Sequence, residues 1–261
     1  MTSSTRREFL RYSGAVATIG PVAGRQLQAD GPPKSMRHLV SLSFDDGFRK
    51  SFIRTAEIFE KFKLPACLNV VAAGIPDDPY IRRSPLGDFK LWNELKRRGH
   101  EIMPHGHRHE NLQKISFDDG KDLIRRCLDV FGEKLDGFDP RRAVFNFPFN
   151  ASTPELEGWL PGQVRAFRTG YEALNPLPHR GQVRLTCASS GPGNCEAAID
   201  RELKRLLAAE SGWMIFNTHG LDDEGWGPLR AVYLERLLER LSGIETVGIV
   251  PVGRALEDTA T

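Results

Sequence analysis

The sequence predicts an α/β protein built as an irregular (β/α) barrel of about seven parallel strands, and three observations carry that reading. From residue 38 onward, short apolar runs alternate with longer amphipathic ones. The residues able to do chemistry fall directly after apolar runs, where parallel strands end and active sites gather. No repeat or low-complexity block interrupts the alternation, so it reads as one domain.

Each element has its own signal. Buried strands are expected at 39–44, 66–71, 100–103, 143–147, 164–168, 183–187, 213–217 and 246–250, from their apolar runs. Between them, 48–62 repeats Phe48, Phe52, Ile53, Ala56, Phe59 and Phe62 at helical spacing, and Pro65 stops it. Helices are likewise expected at 88–98, closed by Gly99, and at 116–135, 153–160, 196–210 and 229–241.

Charge and composition exclude several classes. Thirty-six basic residues against thirty-four acidic ones give +2. Four arginines and one glutamate in residues 1–29 supply that excess, and the remainder is slightly acidic. No nucleic-acid surface is therefore expected. The uncharged stretch 14–24 is too short for a membrane span, which takes about 20 residues. Arg6-Arg7 before Phe9-Leu10 and a weakly apolar segment resemble a twin-arginine export signal, so residues 1–29 are expected to direct the chain to the periplasm or the exterior. Residues 30–37 then form a linker and 38–261 the domain. In an oxidising compartment Cys187 and Cys195, bracketing a flexible loop, could pair, or remain free thiols. Cys67 and Cys127 read as small core residues.

The chemistry concentrates in four places. Asp45-Asp46-Gly47 follows the first strand; one carboxylate there can bind a metal while the other takes a proton, although such a turn also caps helices. His105 and His109 are four apart, and on a helical turn both imidazoles share a face, one way of presenting two nitrogens to zinc. His107 would point elsewhere. Residues 145–150 and 216–220 close later strands, the second with His219. Together these supply three ligands, a base and an acid, the parts of metal-assisted hydrolysis.

Ser43-Phe44-Asp45-Asp46-Gly47 resembles the Thr-Phe-Asp-Asp-Gly motif of the polysaccharide deacetylase (NodB homology) family of carbohydrate esterases. Residues 101–112, containing His105 and His109, are similar to that family's His-x-x-x-His motif. Residues 145–150 resemble its Pro-Tyr-Gly turn, and Asn217-Thr218-His219 its final Leu-x-x-His. The likeness extends over residues 38–253. It implies a NodB-like barrel that removes N- or O-acetyl groups from a glycan, with a divalent cation, zinc foremost. Asp46, His105 and His109 would hold the cation, Asp45 would be the base and His219 the acid. The Phe149 N–H would bind the oxyanion. The alternatives are a silent sugar-binding module and an amidase for a small nitrogenous molecule.

This sequence also departs from the family pattern. Asn146 stands where the family places an arginine that orients the base, so Asp45 is expected to depend on the metal alone to stay ionised. Asn150 replaces a glycine. The Asp-x-x-Asp-Trp motif is missing, and Arg184 is the only suggested charge for tuning His219. Trp226 could stack on a sugar face or anchor the core.

Ser-Phe-Asp-Asp-Gly also occurs at 116–120, opening an amphipathic segment rather than closing a strand. Ser116 fits a helix N-cap there. Only the first copy is expected to matter for chemistry.

Overall fold

The computed structural model describes residues 36–75, 84–170, 172 and 174–257. The expected export signal lies outside them, as does most of the linker. The chain begins with β1 (His38–Phe44), α1 (Arg49–Lys61), β2 (Cys67–Val70), α2 (Phe89–Arg97) and β3 (Glu101–Pro104). It continues through α3 (Phe117–Lys134), β4 (Val144–Asn146), α4 (Pro154–Trp159), β5 (Ala166–Gly170), β6 (Leu174–Asn175) and β7 (Arg184–Ser189). Last come α5 (Cys195–Ala208), β8 (Gly212–Thr218), α6 (Ala231–Ser242), β9 (Val247–Ile249) and α7 (Val252–Glu257).

Seven of the described strands run in the order β3-β2-β1-β8-β7-β5-β4, every neighbouring pair parallel. They form the expected (β/α) barrel, nearly closed. β8 holds one edge of β1 along its whole length. β2 and β9 share the other edge, β2 at the C-terminal end and β9 at the N-terminal end. No backbone ladder joins β3 to β4 among the described residues. Side chains stitch that seam instead: Val144 N–H donates to Met103 Sδ (3.4 Å), and Asn146 Nδ2 to the Pro104 carbonyl (3.4 Å).

The period of two sorts side chains between the layers. On β1, Val40, Leu42 and Phe44 face the helices, in one cluster with Phe52, Phe59 and Leu238. Leu39 faces the barrel interior beside Val144, Leu185, Trp213 and Ile215. The interior changes character along its axis. Its N-terminal end is apolar and is filled by Val252, Ala255 and Leu256 of α7. Its C-terminal end holds Ser43, Asn69, Asn146, Arg168 and Asn217, all buried.

The expected strands and helices lie within about two residues of the observed ones, the usual fraying of element ends. Two short elements escaped the sequence reading. β6 spans two residues and pairs antiparallel with β8. α7 was missed because six residues give too short a periodicity. Of the two possibilities for Cys187 and Cys195, the structure has the unpaired one, and all four cysteines are free thiols. Cys187 lies in the barrel interior, its Sγ 3.3 Å from Asn150 Oδ1, whereas Cys195 begins α5 and directs its Sγ at the Ser190 and Gly227 carbonyls.

The second Ser-Phe-Asp-Asp-Gly copy begins α3. Ser116 Oγ accepts from Asp119 N–H (3.1 Å), and exposed Asp118 pairs with Lys121. Replacing Asp118 and Asp119 together by alanine removes two charges that favour the helix N-terminus, where solvent screens them. We expect chemical denaturation to show at most a small loss of stability, with turnover number unchanged. A folded but inactive double variant would contradict that assignment.

Candidate active site

β1 carries Asp45 at its end, where the Asp45 N–H continues the ladder to the Thr218 carbonyl (2.9 Å). Asp46 then takes a left-handed backbone (φ 78°), so the adjacent carboxylates part in direction. Their surroundings differ as sharply as their directions.

Asp45 is 1% exposed and sits in a cage of donors. Its Oδ1 accepts from Asn69 Nδ2 (2.7 Å) and Arg168 Nη1 (3.1 Å). Its Oδ2 accepts from Arg168 Nη2 (2.6 Å) and Asn217 Nδ2 (3.0 Å). Burial alone would raise the Asp45 pKa. The Arg168 guanidinium outweighs it and holds the carboxyl well below the usual carboxylate range. Ser43 Oγ accepts from both Arg168 (2.9 Å) and Asn69 (2.6 Å), so it aligns the two donors.

This overturns the expectation that Asp45 depends on a metal alone to stay ionised. Asn146 does replace the family's arginine, but its register partner across the β4–β5 ladder is Arg168. The guanidinium has moved one strand along the barrel at the same height. Asn146 itself donates to Asn69 Oδ1 (2.9 Å) and so supports a donor to Asp45 at one remove. The sequence reading missed Arg168. The one available signal was an arginine at the end of an expected strand, two residues beyond Ala166 and so on the same face. Arg184, suggested as a charge for His219, instead pairs with Glu157 (2.8 Å), far enough outward to be half-exposed.

Asp46 Oδ1 is buried and has no hydrogen-bond partner. It lies 3.3 Å from His109 Nε2 and 3.5 Å from His105 Nε2. The three donor atoms are all within 4.8 Å of one another. The other ring nitrogen of His105 donates to the Asn146 carbonyl (2.9 Å), which leaves the Nε2 lone pair free. That bond also crosses the β3–β4 seam. Burial pushes the His109 pKa down to about 4 against the pull of Asp46, so its imidazole is neutral at ordinary pH. A buried carboxylate oxygen without a donor beside two imidazole nitrogens fits a divalent cation of the zinc type.

The histidine pair does not share a helical turn, contrary to the sequence reading. It spans a loop in which Gly106 (φ 82°) and His109 (φ 61°) are left-handed. A Cβ on Gly106 would lie 2.8 Å from Pro148, so this close approach excludes a side chain. His107 is half-buried and does not line the cavity.

The remaining expected residues converge on one cavity of about 360 Å³, lined by Asp45, Asp46, His105, His109, Phe149, Asn150, Asn217, His219 and Trp226, with Phe48, Ile75 and Ser189. Phe149 and Asn150 are consecutive left-handed residues (φ 58° and 51°), a strain that concentrates at functional sites. The Phe149 ring covers His109, with centroids 4.5 Å apart, and its N–H makes no hydrogen bond among the described residues. Asn150 Nδ2 donates to Asn217 Oδ1 (3.0 Å) and steadies a donor to Asp45. His219 meets Trp226 edge to face at 5.3 Å, and its buried Nδ1 has no partner.

The sequence profile described as polysaccharide deacetylase matches residues 33–158, the half that contains Asp45, Asp46, His105 and His109. No curated protein matches the chain. Solved structures share its fold at low identity. A provisionally assigned polysaccharide deacetylase from Mycobacterium smegmatis is 16% identical, with TM-score 0.66 over 90% of this chain and 95% of that one. The chitin deacetylase of Colletotrichum lindemuthianum is 18% identical, with TM-score 0.56 over 84% and 87% of the two chains. The Puue allantoinase is 14% identical, with TM-score 0.60 over 89% and 95%. The matching profile, the near-closed parallel barrel and the strand-end motifs agree: residues 33–158 match the polysaccharide deacetylase family, on a fold that its solved members share.

Proposed function

We propose that this protein is an exported hydrolase that removes acetyl groups from a glycan with the help of a divalent cation. The observation that carries the reading is the division between two adjacent carboxylates. Asp45 is saturated by donors, whereas Asp46 offers a bare oxygen to His105 and His109. Such a pair suits one proton carrier and one ligand.

A bound divalent cation supplies Lewis acidity, which loosens the protons of water and polarises an acyl carbonyl. Asp45, kept ionised by Arg168, accepts the proton of the attacking water. Held this low it is a weak base, which suits a water that a bound cation would acidify. The Phe149 N–H donates to the oxygen on which negative charge develops. His219 gives a proton to the departing nitrogen or oxygen. The acyl C–O bond to water forms and the C–N or C–O bond breaks, so acetate and the free amine or alcohol leave. Export through the segment containing Arg6-Arg7 would bring the enzyme to extracellular glycans.

Elemental analysis of purified variants tests the ligand set. Asp46→Ala, His105→Ala and His109→Ala should each lose most of the metal, because three protein donors are the minimum of a catalytic site. His107→Ala should keep it. An empty His107→Ala protein beside a full His109→Ala protein would show a different register.

Acetate release from a panel of N- and O-acetylated oligosaccharides tests the chemistry. Asp45→Asn should retain metal while kcat falls by about 10²–10⁴. His219→Ala should also retain metal and lose less on substrates with good leaving groups. Near-normal turnover by Asp45→Asn would contradict its role as base, and release confined to small amides would contradict the glycan.

Arg168 gives an independent handle. Arg168→Met leaves the Asp45 charge buried without its partner and should cost about 3–5 kcal/mol in denaturant unfolding. Arg168→Lys keeps the charge but loses the two-pronged contact, so stability should recover in part while kcat remains low. Full activity in Arg168→Met would show that Asp45 needs no guanidinium.

A further inference from the structure

We propose that Trp226 is the platform for the sugar ring on the leaving-group side of the cavity, so that the enzyme selects a pyranose attached to the departing atom. This rests on the hydrolase reading above and goes further by orienting the substrate within the site.

The loop that carries Trp226 is fastened at both ends. Leu229 N–H donates to the Gly220 carbonyl (3.1 Å) and Asp222 N–H to the Leu229 carbonyl (2.7 Å), closing its base. The buried Glu224 accepts from Ser51 N–H (2.6 Å) in the first turn of α1, and Leu221 N–H donates to Ser51 Oγ (2.9 Å). The indole packs onto Gly191, where an added Cβ would come within 3.0 Å of the ring. A side chain gripped this firmly has little rotamer entropy left to lose on binding. Yet Trp226 remains 38% exposed and lines the cavity. A pinned aromatic with open surface in a cavity is built to meet a ligand.

Its neighbour says which part of the ligand. Trp226 stands edge to face against His219, the group that protonates the departing atom. The other exposed aromatic lining the cavity, Phe149, lies on His109, beside the proposed ligands. The two rings therefore mark opposite ends of the reaction, and Trp226 marks the end where the acetyl group's carrier sits. A pyranose presents an apolar face of C–H bonds to an aromatic ring and hydroxyls along its edge. The same cavity offers that edge the polar side chains of Ser189 and Asn150.

The test compares wild type, Trp226→Ala and Trp226→Phe on N-acetylated chitotetraose or acetylated xylotetraose, whichever wild type turns over faster. Methyl acetate, whose leaving group has no ring, is the reference substrate. Trp226→Ala should lower kcat/KM for the oligosaccharide about five- to tenfold more than for methyl acetate, mainly through KM, and Trp226→Phe should recover most of that difference. Calorimetric titration with the same two oligosaccharides should show binding weakened by a similar factor in Trp226→Ala. Equal losses on both substrates, or a phenylalanine variant no better than alanine, would overturn the platform. Unchanged oligosaccharide binding would do so even for a protein that releases no acetate. Absence of acetate release from wild type, with binding still weakened in Trp226→Ala, would overturn the hydrolase reading and leave the platform standing.

Discussion

The ion pair between Asp45 and Arg168 is the constraint on which the rest of the site depends. Both side chains are fully enclosed, and moving them from water costs several kcal/mol per ion before any attraction is counted. The attraction offsets that cost only with good geometry and no lone pair left over. Four hydrogen bonds from Asn69, Arg168 and Asn217 meet the condition. Those donors come from β2, β5 and β8, and Asp45 from β1. The pair exists only when the barrel is closed around it, so folding and assembly of the site are one event.

The pair also explains why Asp45 and Asp46 act differently despite being neighbours. A carboxylate already surrounded by four donors gains little from a cation. One turned away by a left-handed backbone, with a bare oxygen against two imidazoles, gains most. The barrel axis carries the same logic further. Its N-terminal end is sealed by α7 and the apolar residues around Trp213. Buried polar groups can then be confined to the C-terminal end, where they serve the cavity. The β3–β4 seam is the exception to backbone closure, and His105 spans it through the Asn146 carbonyl. A residue of the proposed cation site thus helps to complete the wall that holds it.

Much of this was legible in the sequence, for physical reasons. A strand covered on both faces shows as a run of apolar and small residues without a charge, and 39–44 and 213–216 are such runs. The two copies of Ser-Phe-Asp-Asp-Gly have identical local chemistry, and only position distinguishes them: one ends a strand, the other opens a helix. What stayed hidden depends on register between distant strands. Nothing local to Arg168 shows that it lies level with Asn146 in the β4–β5 ladder, or that 123 residues separate it from its carboxylate partner. The histidine loop was misread for a related reason. A spacing of four suggests a helical face, but Gly106 and the approach of Pro148 produce the same convergence without a helix. The short α7 carries too few residues to display a period.

The central claim is that Asp46, His105 and His109 hold a cation while Asp45 stays with Arg168. Anomalous diffraction from a zinc-soaked crystal, collected on both sides of the zinc absorption edge, tests it most directly. The account predicts one peak within about 2.0–2.2 Å of the Asp46, His105 and His109 donor atoms, with the Asp45–Arg168 contacts intact. A peak bonded to Asp45, or one that forms only after Asp45 leaves Arg168, would contradict it.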